Sequence, residues 1–138
     1  HDYKTLVNGL ILFINKYPIK KCKIKIWINS AGQKLPEFIN ELEKNKIKFF
    51  KTKPVQINKL GKLLNKGDLQ MIFLKKEFLS IVMPSKIYCL IKSNSKILYI
   101  GPKKSDVFYL GNKYRKQDFF HVSNDDVTSL VNFFEEFI

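Results

Sequence analysis

Leu69-Gln70-Met71-Ile72-Phe73-Leu74 is followed, after a connection that opens into a helix at Pro84, by Ile97-Leu98-Tyr99-Ile100-Gly101-Pro102. The first run lies between Gly67-Asp68 and Lys75-Lys76 and is apolar on both faces, which suits a strand buried inside a parallel sheet. Ile87, Tyr88, Leu90 and Ile91 continue at helical spacing, and Gly101-Pro102 closes the second strand. Strand, helix, strand with short connections is a parallel βαβ unit.

The same alternation extends in both directions. Upstream, Leu6, Val7, Leu10, Ile11, Ile14 and Tyr17 form a helical stripe over Tyr3 to Tyr17, stopped by Pro18. Lys23 to Asn29 alternates, with Ile24, Ile26 and Ile28 on one face and Lys23, Lys25 and Trp27 on the other, and ends in the turn Ser30-Ala31-Gly32. Leu35, Phe38, Ile39 and Leu42 predict a helix, Ile47 to Phe50 a strand, and Ile57, Leu60, Leu63 and Leu64 a further helix between Pro54 and Gly67. Downstream, a short helix over Ser105 to Leu110 precedes a strand at Phe119 to Val122. Ser123 or Asn124 is the expected cap of a last helix carrying Val127, Leu130, Val131 and Phe134. The reading is one α/β domain over residues 1–138: a Rossmann-like, doubly wound parallel sheet of about five strands, with right-handed crossovers and helices on both faces. Ligands of such sheets bind at the carboxyl ends of the strands.

Composition excludes several alternatives. The 138 residues are 45% apolar and 14% aromatic, so the formal charge of +13 decorates a packed body and not a disordered chain. No run approaches the roughly 18 apolar residues that span a bilayer, and the opening His1-Asp2-Tyr3 is no signal peptide. Two cysteines, Cys22 and Cys89, are too few for a disulfide framework and too far apart for a metal pair; buried thiols in a reducing, cytoplasmic setting are expected. Arg115 is the only arginine among 25 basic residues. A base-reading protein relies on the arginine fork, so nucleic acid is not an expected partner, and the lysine, isoleucine and phenylalanine bias fits an AT-rich genome.

Neither a P-loop nor a dinucleotide fingerprint occurs. Ser30 to Lys34 is a small-residue turn from strand to helix that admits a phosphate to backbone N–H groups, or serves simply as a tight connection. The richer stretch is Lys75 to Tyr88, where Glu77, Ser80, Ser85 and Lys86 fall between a buried strand and a helix start. A helix start favours an anion by about 0.3 to 2 kcal/mol. Equally, Ser85 would serve there as a plain cap and Glu77 as a solvated loop acid. His121, in Phe119-Phe120-His121-Val122, is expected to be packed and not catalytic, while Trp27, Phe73 and the aromatic end Phe133-Phe134-Phe137 read as core or as a face for a further part of the protein.

The segment from Asp68 through Pro84-Ser85-Lys86-Ile87-Tyr88, followed by Lys96-Ile97-Leu98-Tyr99-Ile100-Gly101-Pro102, resembles the nucleotide-sugar-binding half of retaining glycosyltransferases with two Rossmann-like domains, the GT-B type. It is closest to family 4 and its bacterial polysaccharide branch. Ile24 to Gly32 is similar to that family's glycine-containing strand-end turn, and Ile47 to Lys51 to its following strand, so the resemblance covers nearly the whole chain. It implies a metal-independent, cofactor-free transferase (EC 2.4 hexosyltransferase class) whose donor is a UDP-sugar. Glu77 falls on the first of two family glutamates, as the catalytic residue at the transferred sugar. The second falls on Ser85, a departure shared by the branch that leaves the carboxylate contact to the ribose in doubt. The resemblance further implies that Ser30, Gly32, Ser80, Ile81, Val82 and Lys86 hold the diphosphate and sugar, and that Phe50, Lys51 and Thr52, with Ser85, face the nucleoside.

In the family an upstream first strand, a basic pair and a whole acceptor domain precede the region matched here. The chain is therefore expected to act with an N-terminal acceptor domain or partner subunit, to be inactive alone, and to sit in the cytoplasm, peripheral to the anionic inner membrane face. The alternative is a non-catalytic basic α/β interaction module for anionic partners. A receiver-type module is disfavoured, because Asp68 precedes its strand instead of ending it.

Overall fold

The computed structural model describes residues 3–29, 33–53, 56–75 and 86–138, apart from the side chain of residue 57. Two compact units emerge, Tyr3–Pro54 with Asp125–Ile138, and Val55–Asn124.

In the first unit, helix α1 (Lys4–Lys16) buries Leu6, Val7 and Leu10 of the expected stripe and also Phe13, which lay outside it, while Ile11 and Ile14 are half-buried. It packs on α6 (Val127–Phe137) through Leu130 and Phe134, with the Phe13 and Phe134 rings 5.7 Å apart. Gly9 stands mid-helix because a Cβ there would lie 2.4 Å from Leu130 Cδ2. The cap of α6 is Asp126, which accepts from Ser129 N at 3.1 Å, and not Ser123 or Asn124 as expected. Asn124 is drawn elsewhere: its Nδ2 donates to Leu74 O at 3.0 Å.

Strand β1 (Ile26–Ile28) is shorter than the expected Lys23 to Asn29, because Pro18–Lys23 coils into a 3-10 turn that captures Ile24 N on Lys21 O at 3.1 Å. Helix α2 (Leu35–Lys44) buries Leu35, Phe38 and Leu42. It ends in a Schellman motif: Lys46 takes a φ of 55°, Lys46 N bonds Glu43 O at 3.0 Å and Ile47 N bonds Leu42 O at 2.9 Å. Ile47 is thereby consumed by the helix end, so β2 runs Phe49–Lys51 and not from Ile47. β1 and β2 pair in parallel, Ile26 opposite Phe49 and Ile28 opposite Lys51.

In the second unit, α3 (Ile57–Leu64), β3 (Leu69–Phe73), α4 (Lys86–Ile91), β4 (Lys96–Ile100), α5 (Asp106–Arg115) and β5 (Phe119–Val122) follow in order. The ladder is β3-β4-β5, all parallel. Consecutive right-handed crossovers in an unreversed order place α4 and α5 on one face. On that face Ile87, Leu90 and Val107 pack with Ile97, Tyr99 and Phe119. Ile97, Leu98, Tyr99 and Ile100 are all wholly buried, so β4 is covered on both faces, as its sequence demands. Helix α5 runs five residues beyond the expected Leu110, through Gly111. A Cβ at Gly111 would meet Phe119 Cε2 at 2.2 Å, so this glycine serves close packing.

The fold is thus α/β with parallel strands and surrounding helices, compatible with a Rossmann-like class. The expected single sheet is corrected in one respect: the five strands are hydrogen-bonded as two ladders, of two and three strands, because no described strand pairs with the second edge of β1 or of β3. No described helix is long and apolar enough to cross a membrane.

Candidate functional site

The carboxyl ends of the strands were the expected locus, and the described residues define two of them, one in each unit. At the end of β1 and β2, Asn29 Nδ2 donates to Thr52 Oγ1 at 2.8 Å and to Lys53 O at 2.6 Å, while Thr52 N bonds Ile28 O at 3.0 Å. An asparagine at a strand end commonly bonds main chain nearby, and here it clamps the turn beyond β2. Thr52 is therefore committed within the protein. Phe50, in register with Trp27, keeps 42% of its surface exposed; the two rings meet edge-on at 6.3 Å and Lys48 Nζ lies 5.6 Å from the Phe50 centroid. Phe50 thus offers an exposed stacking surface with the Lys48 charge beside it, while Lys51, next in the strand, is exposed on the opposite face of β2.

In the other unit, Lys86 is the first residue of α4, and its Nζ donates to Met71 O at 3.1 Å. The side chain as a whole is exposed, yet its ammonium folds back on β3, where loss of water holds its pKa below the ordinary lysine range. At the end of β4 the backbone is locked tightly. Tyr99, wholly buried, directs its hydroxyl to Pro102 O at 3.0 Å and Ser105 Oγ at 2.9 Å, and burial raises its pKa against the smaller opposing effect of that Ser105 bond. A Cβ on Gly101 would lie 2.4 Å from the Tyr99 hydroxyl, so only glycine fits beneath it. Ser105 Oγ also accepts from Phe108 N at 3.1 Å and caps α5. His121 Nε2 is 2.7 Å from Gly101 O, and its ring lies against Phe108 and Tyr99, the packed role expected of it. Beyond this lock, Lys103, Lys104 and Lys113 with Phe108 and Tyr109 line an open concavity of about 570 Å³.

Of the residues singled out from sequence, Phe50, Lys51 and Thr52 are together at the end of β2, and Lys86 belongs to the other unit. Glu77, Ser30, Gly32, Ser80, Ile81, Val82 and Ser85 lie outside the described residues. Among the described residues, no group of three or more His, Cys, Asp or Glu side chains is placed to hold a metal ion. Cys22 is exposed, contrary to the expected buried thiol, because the 3-10 turn directs its Sγ to Ile19 O at 3.2 Å; Cys89 is half-buried. Asn29, Lys48 and Ser105 were not singled out by sequence reasoning; Asn29 and Ser105 carried a signal, a turn-former ending a strand and a capping residue before a helix.

No protein-family model matches the chain, and comparison with curated proteins and with solved structures returns no match.

Proposed function

We propose that this chain is the nucleotide-sugar-binding domain of a retaining glycosyltransferase, taking a UDP-sugar and serving transfer to a polysaccharide, glycolipid or glycoconjugate acceptor at the cytoplasmic membrane face. The observation that carries the reading is the βαβ unit β3-α4-β4. Its parallel pairing, Leu69 opposite Lys96 through Phe73 opposite Ile100, makes residues 74–85 the connection leaving a strand's carboxyl end. Glu77, Ser80, Ile81, Val82 and Ser85 all fall on that connection, the place where parallel α/β sheets hold ligands.

In this reading the donor's bond between sugar and diphosphate breaks as the sugar gains oxocarbenium character. Ser80, Ile81, Val82 and Lys86 hold the leaving diphosphate, and Glu77 acts at the positive sugar. No metal is required. Glu77→Gln in the intact enzyme is expected to lower transfer at least about a hundredfold, as loss of one transition-state contact does. It should leave uridine diphosphate binding nearly unchanged. Transfer at the parental rate by Glu77→Gln would contradict the assignment.

The concavity edged by Lys103, Lys104 and Lys113 favours one second reading, a basic module for anionic surfaces. Binding to vesicles of anionic lipid that vanishes at about 1 M salt, with no response to any nucleoside diphosphate, would favour it.

A further inference from the structure

Pro18–Lys23, the 3-10 turn ahead of β1, buries none of its residues, and Ile19 within it leaves 86% of its surface exposed, more than any other large apolar side chain described. One exposed aliphatic residue is ordinary by itself. This one is held out by a fixed scaffold and surrounded by charge. Tyr17 N bonds Phe13 O at 2.8 Å, Lys20 N bonds Tyr17 O at 3.0 Å, and Ile24 N bonds Lys21 O at 3.1 Å, with Ile24 itself buried. Pro18 restricts its own φ, and the Cys22 thiol donates to Ile19 O at 3.2 Å. Ile19 therefore projects from a turn that needs no ordering before contact. Residues 16–25 hold five lysines and no acid. Glu135 of α6 takes Lys16 at 2.6 Å, which leaves Lys20, Lys21, Lys23 and Lys25 in excess.

We infer that this turn docks the chain on an anionic lipid bilayer, with Ile19 entering the boundary between headgroups and acyl chains and Lys20, Lys21 and Lys23 meeting the lipid phosphates. Charge and composition select that occupant. An aliphatic tip among lysines, whose stems can lie along an apolar layer while their ammonium groups stay wet, is the pattern of an interfacial contact. Protein interfaces deplete lysine and favour arginine and aromatic anchors, and a nucleic-acid backbone has no apolar layer to receive Ile19. The turn enters the amino end of β1, whereas Asn29 and Thr52 meet beyond its carboxyl end, so docking leaves that end open. Docking of this kind does not depend on a donor site, and it supplies the membrane contact that the proposed function calls for.

The test is co-sedimentation of the whole chain with sucrose-loaded vesicles of phosphatidylcholine, alone or mixed equally with phosphatidylglycerol. Binding is expected to the mixed vesicles and not to the neutral ones. Lys20→Gln, Lys21→Gln and Lys23→Gln together should weaken it about a hundredfold, at about fivefold per lysine. Ile19→Ser should weaken it at least about fivefold with the melting temperature unchanged, because the side chain is exposed. A polarity-sensitive dye on exposed Cys22, in a Cys89→Ser chain, should shift to the blue on the mixed vesicles alone. No binding to mixed vesicles, equal binding to neutral ones, or parental binding by folded Ile19→Ser would each overturn the proposal. So would a larger loss from glutamine at Lys103, Lys104 and Lys113 than from glutamine at the turn. Uridine diphosphate titrated into the same protein separates docking from the donor site: heat retained without vesicle binding overturns docking alone.

Discussion

Arg115 shows how much one side chain can organise. Its guanidinium donates to the carbonyls of Leu90 and Ser95 at 2.9 Å each, also to that of Ser93, and reaches Asp118 Oδ2 at 3.4 Å. These carbonyls lie at the end of α4 and in the turn into β4, and that of Leu90 also accepts from Ser93 N at 3.0 Å. The fixed fork of arginine spans them, and the ammonium of lysine does not. Arg115→Lys is therefore expected to cost about 2 kcal/mol and Arg115→Ala about 3 kcal/mol, read from urea midpoints at constant slope. Near-parental stability in Arg115→Lys would show that a charge alone suffices. The scarcity of arginine in the sequence argued against base reading; the structure adds that the sole example is already occupied in holding the fold.

Elements were legible where one face had to be buried, and boundaries were lost where a local bond outbid the pattern. The stripe on α1 is periodic and long, and the run Leu69 to Leu74 is apolar on both faces between turn signals, so the type of each followed from its pattern. The starts of β1 and β2 moved because Ile24 and Ile47, apolar and in phase, were taken by the 3-10 turn and by the Schellman motif. Helix α5 continues past the expected Leu110, and Gly111 within it marks contact of α5 with β5. Gly111→Ala drives a Cβ into the Phe119 ring and should destabilise by about 1 to 3 kcal/mol, despite the helix-favouring change. A more stable Gly111→Ala protein would show that the ring moves aside. Between α1 and α6, Lys16 Nζ meets Glu135 Oε1 at 2.6 Å, and that hydrogen bond lowers the Glu135 pKa and raises that of Lys16. A carboxyl with a lowered folded pKa adds stability above its unfolded value and loses it as pH falls through the lower, folded one. Melting temperature should thus fall in acid less steeply for Glu135→Gln than for the parent, with the difference small because the pair is exposed, and erased by high salt. Equal acid slopes at low salt would remove the pair from the account.

At the scale of the molecule, strand and helix alternation announced parallel α/β architecture, and the βαβ unit carrying Lys86 follows it closely. What spacing did not reveal is the partition of five strands into two ladders, because hydrogen-bonding order depends on contacts remote in sequence. Phe50 and Lys51, which the resemblance assigned to the nucleoside, fall within β2 itself, whereas the clamp by Asn29 depends on Thr52, 23 residues away. The chain's +13 charge now has distinguishable parts: Arg115 inside, Lys86 on the edge of β3, and Lys103, Lys104 and Lys113 around a concavity. The central claim is that the chain holds a nucleoside diphosphate, and isothermal titration of the whole chain with uridine, guanosine, adenosine and thymidine diphosphates tests it most directly. The account predicts saturable heat with uridine diphosphate, weaker or absent heat with the purine carriers, and loss of affinity in Phe50→Ala; an absence of heat with all four would contradict it.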